Sequence, residues 1–331
     1  MSRSPVVSLA LVILVAAAGL AGCTREADKS EPPAEATASR PAVQSTPAPA
    51  GQSEAVKTFR IGDLTATALR DGTIDLPNDN KVFGVGHTPE EVASVLSAAG
   101  APTDALHLSV QPLLVKTPDR VLLFDTGAGT NFGPSAGKLL TSLADAGVDP
   151  QSVTDIFISH VHGDHVGGLV DAGGALVFPA AAIHLSAPES AFLNGMNAET
   201  AKNVGLAQYA AFVSAITLKV ATFAPDSEIL PGLVKAVEIK GHTTGHSGYL
   251  ITSGSSSLLY VGDAMHHYVV SVQKPEWANG FDGDPDVAAA SRSALIAQSA
   301  ASGQRLYAVH FPFPGIGKIE NRDGGFVWVP E

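Results

Sequence analysis

The sequence is short of three things, and each shortage excludes a class of protein. Cys23 is the single cysteine, so the chain can form no internal disulfide. Basic residues are few, with 20 Lys and Arg against 32 Asp and Glu, and the net charge of -12 argues against a non-specific nucleic-acid binder, which would need a basic face. The apolar run at positions 6–20 is shorter than the roughly 20 residues of a transmembrane helix.

Apolar residues are plentiful by comparison. They make up 45% of the 331 residues, which is enough to bury a large core as one large domain or as two halves. The 33 glycines and 22 prolines favour many turns over long helices. We therefore expect a globular domain whose partner is a small molecule rather than a nucleic acid.

The N-terminus carries the pattern of an export signal. Arg3 precedes the apolar run, and the run closes on LAGC at Cys23, which resembles the lipobox of bacterial lipoproteins. The resemblance implies that residues 1–22 are a signal peptide and that a lipidated Cys23 begins the mature, exported chain. Thr24 after the cysteine implies, by the same resemblance, an outer-membrane anchor facing the periplasm. An ordinary secretory signal with an incidental cysteine is the alternative.

The composition changes again over residues 23–56. Pro, Ala, Ser, Thr and Glu dominate this segment, and large apolar side chains are almost missing from it. Such a segment cannot bury enough surface to offset its ordering entropy, so we predict a flexible tether. The folded domain should then span residues 57–331. It should meet the membrane only through the lipid anchor, and it could form a homodimer.

Several elements of this domain can be placed from signals at their ends. Thr88, Pro89 and Glu91 predict a capped helix that runs to about Ala99. We expect further helices over residues 135–146 and 287–301, and mostly helical structure over 187–217. Segments of alternating polarity between them predict strands.

The most informative stretch is SHVHGDHVGG at positions 159–168. It follows TDIFIS, a β-branched and aromatic run that predicts a buried strand ending at Ser159. His160 and His162 are two residues apart. Extended backbone sends both imidazoles to one side at this spacing, where they can bind one metal ion.

The second half of the motif is expected to bind a second metal ion. Gly163 lets the backbone turn, so that Asp164 and His165 direct a carboxylate and a third imidazole toward a second cation. A polar surface loop is the alternative interpretation. Four potential ligands at this spacing, followed by two glycines, favour metal binding over it.

The pattern HxHxDH resembles the signature of the metallo-β-lactamase superfamily. This resemblance implies three later ligands, and the sequence supplies His242 in GHTTGHSG, Asp263 after SSLLYVG and His310 in RLYAVH. It also implies an α/β fold, the metallo-β-lactamase αββα sandwich, in which two facing mixed β-sheets carry helices on both outer faces. The order of predicted strands and helices is compatible with this architecture.

Carried over to this chain, the motif implies a dinuclear centre. One ion would be bound by His160, His162 and His242 and the other by Asp164, His165 and His310, with Asp263 bridging. These ligands fit two divalent ions, Zn²⁺ best, with manganese, cobalt or iron as alternatives. The ions would lower the pKa of a bridging water from about 15.7 to roughly 7, and the resulting hydroxide would attack a carbonyl or phosphoryl centre. Asp164 and Asp263 are thus the expected catalytic residues, and Asp164 would move a proton to the leaving group.

Other residues of these motifs have supporting roles in the prediction. By the family resemblance Asp125 of FDTG supports the metal loops, although a simple turn residue fits its spacing equally well. His246 is expected behind the ligands or as a turn-stabilising side chain, and His266 in the pocket wall, with a solvated loop histidine as the alternative. The motifs contain no evident Tyr or Lys that would serve as an extra donor to an oxyanion.

The branch of the superfamily depends on features outside the ligands. FDTGAGTNFGP, HVHGDHVGGL, GHTTGHSGY and HFPFPGIGKI together resemble the methyl parathion hydrolase group and related lactonases, over nearly all of residues 57–330. By that resemblance Phe132 and Phe192 help to form an aromatic substrate pocket, with Phe311 and Phe313 beside the last ligand; core positions are the alternative. The substrate would be a small ester, lactone or phosphotriester.

Three competing functions stay open at this point. A di-iron oxidoreductase of the same fold is distinguishable by its metal content. A non-catalytic metal-binding surface lipoprotein is disfavoured, because a structural zinc site needs only about four ligands and seven are present here. A β-lactamase proper would hydrolyse nitrocefin.

Overall fold

The computed structural model describes residues 53–206 and 208–331. The predicted signal peptide, Cys23 and nearly all of the predicted tether lie outside these residues. The first strand begins at Val56, which is the last residue assigned to the tether. Among the described residues, no helix combines the length and hydropathy that crossing a bilayer requires.

Most strands belong to two seven-stranded sheets. The strands are β1 Val56–Ile61, β2 Leu64–Leu69, β3 Gly72–Pro77, β4 Phe83–Val85, β5 Ala105–Val110, β6 Leu113–Lys116, β7 Val121–Phe124, β8 Asp155–Phe157, β9 Ala182–Ser186, β10 Val220–Phe223, β11 Glu228–Leu230, β12 Val234–Glu238, β13 Ser247–Ser253, β14 Ser256–Tyr260, β15 Ala278–Asn279, β16 Leu306–Tyr307, β17 Ile316–Arg322 and β18 Gly325–Pro330. The first sheet has the order β1-β2-β6-β7-β8-β9-β10, and the second has the order β11-β12-β13-β14-β16-β17-β18. Two small pairs, β3 with β5 and β4 with β15, lie outside both sheets.

Both sheets are mixed. In the first sheet β7, β8, β9 and β10 run parallel to one another, and the remaining pairs are antiparallel. In the second sheet β14 and β16 are parallel and the other neighbours are antiparallel. The loops that follow two parallel neighbouring strands lie at the same edge of the sheet.

The helices are mostly short. They are α1 Pro89–Ala98, α2 Leu139–Asp145, α3 Gly163–Val166, α4 Ala187–Gly195, α5 Ala198–Asn203, α6 Tyr209–Ile216, α7 Val270–Gln273 and α8 Pro285–Ser302. The capping box predicted for α1 is present, because Thr88 accepts from Glu91 N and the Glu91 carboxylate accepts from Thr88 N. The predicted helices over 187–217 and 287–301 correspond to α4, α5, α6 and α8.

Alternating side chains divide the apolar residues into layers. In β7, Leu122 and Phe124 join a cluster between the two sheets, together with Tyr249 and Tyr260 of the second sheet. Leu123 points the other way, into a cluster that α2, α4, α5 and α6 cover. The outer face of the second sheet packs against α7 and α8. Helices therefore cover both outer faces, and the predicted αββα sandwich is confirmed.

The helix predicted over residues 135–146 begins later than expected. Gly137 has φ of +84°, in the left-handed region, which interrupts helical backbone. The buried Asp71 carboxylate accepts hydrogen bonds from Gly137 N at 2.9 Å and Leu139 N at 2.8 Å. A side chain that is distant in sequence thus caps α2 and sets its start at Leu139. The strand before the HVHGDH loop, β8, also ends early, at Phe157 rather than at Ser159. The reason is that Ser159 N donates to the Asp125 side chain instead of to a neighbouring strand.

Candidate metal centre

The predicted ligands lie at one edge of the sandwich, in loops and in the short helix α3. His160 follows β8, Asp263 follows β14 and His310 follows β16, each within a few residues of the strand end. Because β14 and β16 are parallel neighbours, their loops meet at the same edge. His242 lies in the loop between β12 and β13.

The structure brings all seven predicted ligands together in two adjacent groups. One group is His160, His162, His242 and Asp263, and the other is Asp164, His165 and His310. Within each group the potential ligand atoms lie within 4.8 Å of one another. Apart from His162, which is partly exposed, the seven residues are buried.

Asp263 lies between the two groups and faces both. Its Oδ1 is 3.2 Å from His165 Nε2 and 3.1 Å from His310 Nε2. Its Oδ2 is 3.3 Å from His242 Nε2 and 3.6 Å from His160 Nε2. One carboxylate oxygen therefore points to each group, which is the arrangement that a bridging ligand requires.

The glycines of the HVHGDHVGG loop allow close backbone packing. Gly163 begins the short helix α3, and a Cβ there would lie 2.4 Å from the carbonyl oxygen of Gly205. A Cβ on Gly168 would lie 2.1 Å from the Thr126 carbonyl oxygen. The chain turns at Gly163 as expected, from extended backbone at His162 into α3, and the missing side chain also lets two backbone segments touch.

In the second group, a hydrogen bond at Nδ1, on the side away from the cluster, fixes the ring of each histidine. His165 Nδ1 donates to Asp125 Oδ2 at 2.7 Å, and His310 Nδ1 donates to the Ser109 carbonyl at 2.7 Å. Asp125 also accepts from Ser159 Oγ and from Tyr260 OH, both at 2.7 Å. It adopts φ of +56° to do so. Asp125 thus lies directly behind a ligand, where the resemblance placed it, rather than in a solvated turn.

The first group is held in the same way. His242 Nδ1 donates to Asp282 Oδ1 at 3.0 Å, and the buried Arg292 guanidinium lies 3.3 Å from Asp282 Oδ2. His160 Nδ1 lies 3.0 Å from Ser159 Oγ, whose own hydrogen is donated to Asp125. His160 therefore donates through Nδ1 as well.

These hydrogen bonds leave lone pairs facing each other inside the cluster. When His160 and His242 are neutral, their ring hydrogens are on Nδ1 and their Nε2 atoms carry lone pairs; these two atoms are 3.1 Å apart. Within the described residues, His165 Nε2 and Asp263 Oδ1 are buried with no hydrogen-bond partner. Converging acceptors without donors are unfavourable alone, and divalent cations would satisfy them, so the residues fit two metal ions.

The electrostatics of the cluster favour positive charge. Burial alone would lower the pKa of His165, His242 and His310, but Asp263 opposes burial in all three cases, assisted by Asp164 or Asp282. The net result raises the pKa of each, that of His242 to about 9. Burial raises the pKa of Asp263, but the surrounding histidines outweigh it and hold the pKa well below its usual range.

His246 lies behind the bridging residue instead of in the cluster. Its Nδ1 donates to the Ile239 carbonyl at 3.0 Å, so its Nε2 accepts from Asp263 N at 2.9 Å. Burial lowers the pKa of His246 to about 3, so the ring is neutral. The side chain positions the backbone that carries Asp263.

Sequence reasoning missed a buried carboxylate that joins two ligand loops. Glu189, in the first turn of α4, accepts from Val161 N at 2.9 Å, from Thr243 Oγ1 at 2.8 Å and from Gly245 N at 2.8 Å. Val161 lies between two ligands, and Thr243 follows His242. Glu189 follows an N-cap serine, which in sequence is indistinguishable from an ordinary surface helix start, so no local signal identifies it.

Two further histidines follow Asp263. His266 is 1% exposed, and its Nε2 lies 3.1 Å from Asp263 Oδ2, so it is a buried group at the centre rather than a solvated one. Burial lowers the pKa of His266. His267 lies at the start of α7, where its Nδ1 accepts from Val269 N at 3.2 Å and from Val270 N at 3.3 Å.

The four phenylalanines predicted for the pocket lie in different surroundings. Phe132 is half-buried beside Gly205 and Gly163, next to the metal loop. Phe192 is half-buried against the core cluster under α4. Phe313 packs on the inter-sheet cluster with the Arg70 guanidinium 4.4 Å from its ring. Phe311 is fully buried in the core below α8, so its expected place in an accessible pocket wall is corrected.

Comparison with known proteins points to one family. Residues 108–310 match the metallo-beta-lactamase superfamily. The solved structure of AidC, a dizinc quorum-quenching lactonase in complex with a product N-hexanoyl-L-homoserine, has a TM-score of 0.78 and 31% identity, covering 83% of this chain and 97% of that one. The hydrolase AbOPH of the beta-lactamase superfamily has a TM-score of 0.76 and 29% identity, covering 85% and 98%.

Curated relatives match over shorter stretches. A ribonuclease Z of Salinibacter ruber is 38% identical over 79 residues, which is 24% of this chain and 21% of that protein. A probable metallo-hydrolase of Mycobacterium bovis is 26% identical over 184 residues, 47% of this chain and 56% of that protein. The chain therefore spans about half or less of the length of these relatives.

Proposed function

Because the chain belongs to the metallo-beta-lactamase superfamily, we propose that it is a dinuclear hydrolase of small carboxylic esters and lactones. The observation that supports this proposal best is Asp263, whose two oxygens each face one group of ligands. A structural zinc site is closed by about four ligands, whereas catalytic sites keep a position open for water or substrate. Seven converging ligands favour the catalytic interpretation.

The similar lactonase supports the choice of substrate. AidC was solved with a product that carries an acyl chain and a carboxylate, and it is described as dizinc. We extend this to the present chain as two Zn²⁺ ions and an ester or lactone substrate. Phosphotriesters present the same kind of electrophile, so they belong in the test as a competing class.

The seven ligands and the groups that orient them have different roles in this proposal. Bound by these residues, two divalent ions would supply an activated water and would polarise the carbonyl oxygen of an ester or lactone. The hydrogen bonds at Nδ1 of His165, His242 and His310 hold those rings in one orientation. Asp164 keeps 12% of its side chain exposed, compared with 4% for Asp263, so it is the carboxylate placed to pass a proton to the leaving oxygen.

A substrate panel tests the proposal directly. The purified protein, loaded with zinc and checked for two ions per chain, should hydrolyse acyl-homoserine lactones or p-nitrophenyl esters. Methyl parathion tests for a phosphotriesterase, and nitrocefin tests for a β-lactamase. Turnover of methyl parathion alone, or of nitrocefin alone, would overturn the assignment to esters and lactones.

We also propose that Cys23 is lipidated and that the enzyme is anchored to the cell envelope, as the lipobox-like ending LAGC implies. Expression in a bacterium with labelled palmitate should give a labelled protein in the membrane fraction. Cys23→Ser should release an unlabelled protein from that fraction. Equal labelling of both proteins would contradict the proposal.

A further inference from the structure

The first strand enters the fold at the edge of the sandwich that carries the metal centre. Val56 at the start of β1 pairs with Leu69 at the end of β2. Both β2 and β7 run antiparallel to β6, so the end of β2 lies at the edge where β7 leads into Asp125 and β8 into His160. Four strand spacings of about 4.8 Å, or roughly 20 Å, separate β1 from β8. The segment that precedes residue 53 therefore joins the domain beside the metal centre.

Three basic residues lie close together at this point of the backbone. Lys57 is the second residue of β1, Arg70 N donates to Ala55 O at 2.8 Å, and Lys138 N donates to Asp71 O at 2.9 Å. All three basic side chains are exposed. None of them forms an ion pair within the described residues, where the Lys and Arg ion pairs are those of Lys81, Arg120, Lys240, Arg292, Arg305 and Arg322. In a chain with a net charge of -12, these unpaired cations form a local basic surface.

Apolar side chains lie beside these cations. Leu140, in the first turn of α2, is 50% exposed. The ring of the half-buried Phe313 lies 4.4 Å from the Arg70 guanidinium, which packs over it. We call the surface formed by Lys57, Arg70, Lys138, Leu140 and Phe313 the basic rim. Exposed apolar side chains next to unpaired Lys and Arg suit the headgroup region of an anionic membrane.

We propose that the basic rim binds the anionic surface of a lipid bilayer and thereby turns the metal centre toward that bilayer. The inference goes beyond the proposed hydrolase function and does not depend on which substrate the site cleaves. It adds a second membrane contact to the expected lipid anchor.

The position of the anchor favours a bilayer as the partner. Cys23, the residue proposed for lipidation, precedes the described residues, and the chain that follows it reaches the domain at the basic rim. The 30 residues from 23 to 52 can span at most on the order of 100 Å, so an anchored domain stays near the membrane surface. The exposed Glu54 offsets one of the three basic charges, which leaves the rim positive and complementary to anionic headgroups.

Vesicle sedimentation tests the rim without the anchor. The mature-length chain, residues 23–331 with Cys23→Ser, is used because the apolar run at 6–20 or a bound lipid would bind vesicles by itself. At millimolar lipid it should bind vesicles of phosphatidylcholine with about 30% phosphatidylglycerol, but not vesicles of phosphatidylcholine alone. About 0.5 M NaCl should release it. Equal binding to both kinds of vesicle, or binding to neither, would overturn the inference.

Charge reversal locates the binding surface. Arg70→Glu and Lys138→Glu should each bind the anionic vesicles at least about tenfold more weakly, because one basic residue near such a surface contributes about fivefold and reversal adds a repulsion. Lys235→Glu is the control with the same change of charge, since Lys235 is exposed near the start of β12, at the opposite edge from His242. Equal weakening in all three variants would show that binding follows net charge rather than the rim.

Lysine acetylation tests the orientation and needs no folded variant. In the vesicle-bound protein Lys57 and Lys138 should react several-fold more slowly than in the free protein, whereas Lys235 should react at an unchanged rate. Protection of Lys235 in place of the other two would contradict the proposed orientation. Neither measurement involves turnover, so a protein that hydrolysed no ester or lactone would refute the proposed function and leave the test of the rim intact.

Discussion

Asp282 accepts a hydrogen bond from His242 at 3.0 Å, on the side of the imidazole that faces away from the metal centre. The Asp282 carboxylate is itself held by the buried Arg292 of α8. The Arg292 guanidinium is also bonded to the carbonyl oxygens of Pro275 and Trp277. The orientation of one ligand therefore depends on a helix on the outer face of the second sheet.

The first prediction follows from this relationship. Asp282→Asn should weaken zinc binding at the His242 site by about 10- to 100-fold, because a neutral amide makes the ring less basic and holds it less firmly. Competition with a chromophoric chelator measures the affinity. Asp286→Asn, an exposed position in the first turn of α8, is the matched control. Equal affinities in the two variants would show that Asp282 does not support the ligand.

The second prediction separates a bridging ligand from a residue behind it. Asp263→Ala should lose at least one metal ion and nearly all turnover, since both groups share its carboxylate. His246→Ala should keep both ions. It leaves Asp263 N without its acceptor, so it should lower the free energy of unfolding by about 1–3 kcal/mol. Metal analysis and urea titration check the pair, and metal loss in His246→Ala would contradict the distinction.

Local signals were sufficient to predict part of the molecule. The capping box of α1 depends on residues three apart, and the ligand motif depends on spacing within six residues, so both can be recognised in sequence. The later ligands were found because the family pattern requires a histidine, an acidic residue after a strand and a late histidine, in that order. The start of α2 was misplaced because its cap, Asp71, is distant in sequence.

The supporting residues could not be predicted for the same physical reason. Asp282 is 40 positions from the histidine it orients, and within FDGDPD it resembles an ordinary turn residue. Asn279, whose amide nitrogen lies 2.9 Å from His266 Nδ1, belongs to β15, which pairs with the distant strand β4. Phe311 follows a ligand directly, but adjacency in the chain does not determine which side chain faces the pocket and which faces the core.

The third prediction concerns the carboxylate that joins two ligand loops. Glu189→Gln replaces one acceptor oxygen with an amide that faces either Val161 N or the Thr243 and Gly245 donors. We expect a loss of about 1–3 kcal/mol in the free energy of unfolding of the zinc-free protein, because a buried donor is left unpaired. Glu199→Gln, exposed at the start of α5, is the control. Unfolding curves that coincide for the two variants would refute the role.

The fourth prediction uses a buried carboxylate remote from the ligands. Burial alone would raise the pKa of Asp155, but hydrogen bonds from His184, Thr154 and Arg120 outweigh it and lower the pKa to about 2. Because the pKa is depressed on folding, the stabilisation is present at neutral pH and is lost as the pH falls from about 4 toward 2.

Asp155→Asn should therefore reduce the free energy of unfolding by an amount on the order of 2 kcal/mol at pH 7. The difference between wild type and Asp155→Asn should shrink as the pH approaches 3. Urea titrations of the zinc-free proteins measure it, so that metal release does not contribute. Asp119→Asn, at an exposed position, is the control. A difference for Asp155→Asn that stayed constant from pH 7 to pH 3 would mean that its effect comes from packing rather than from charge.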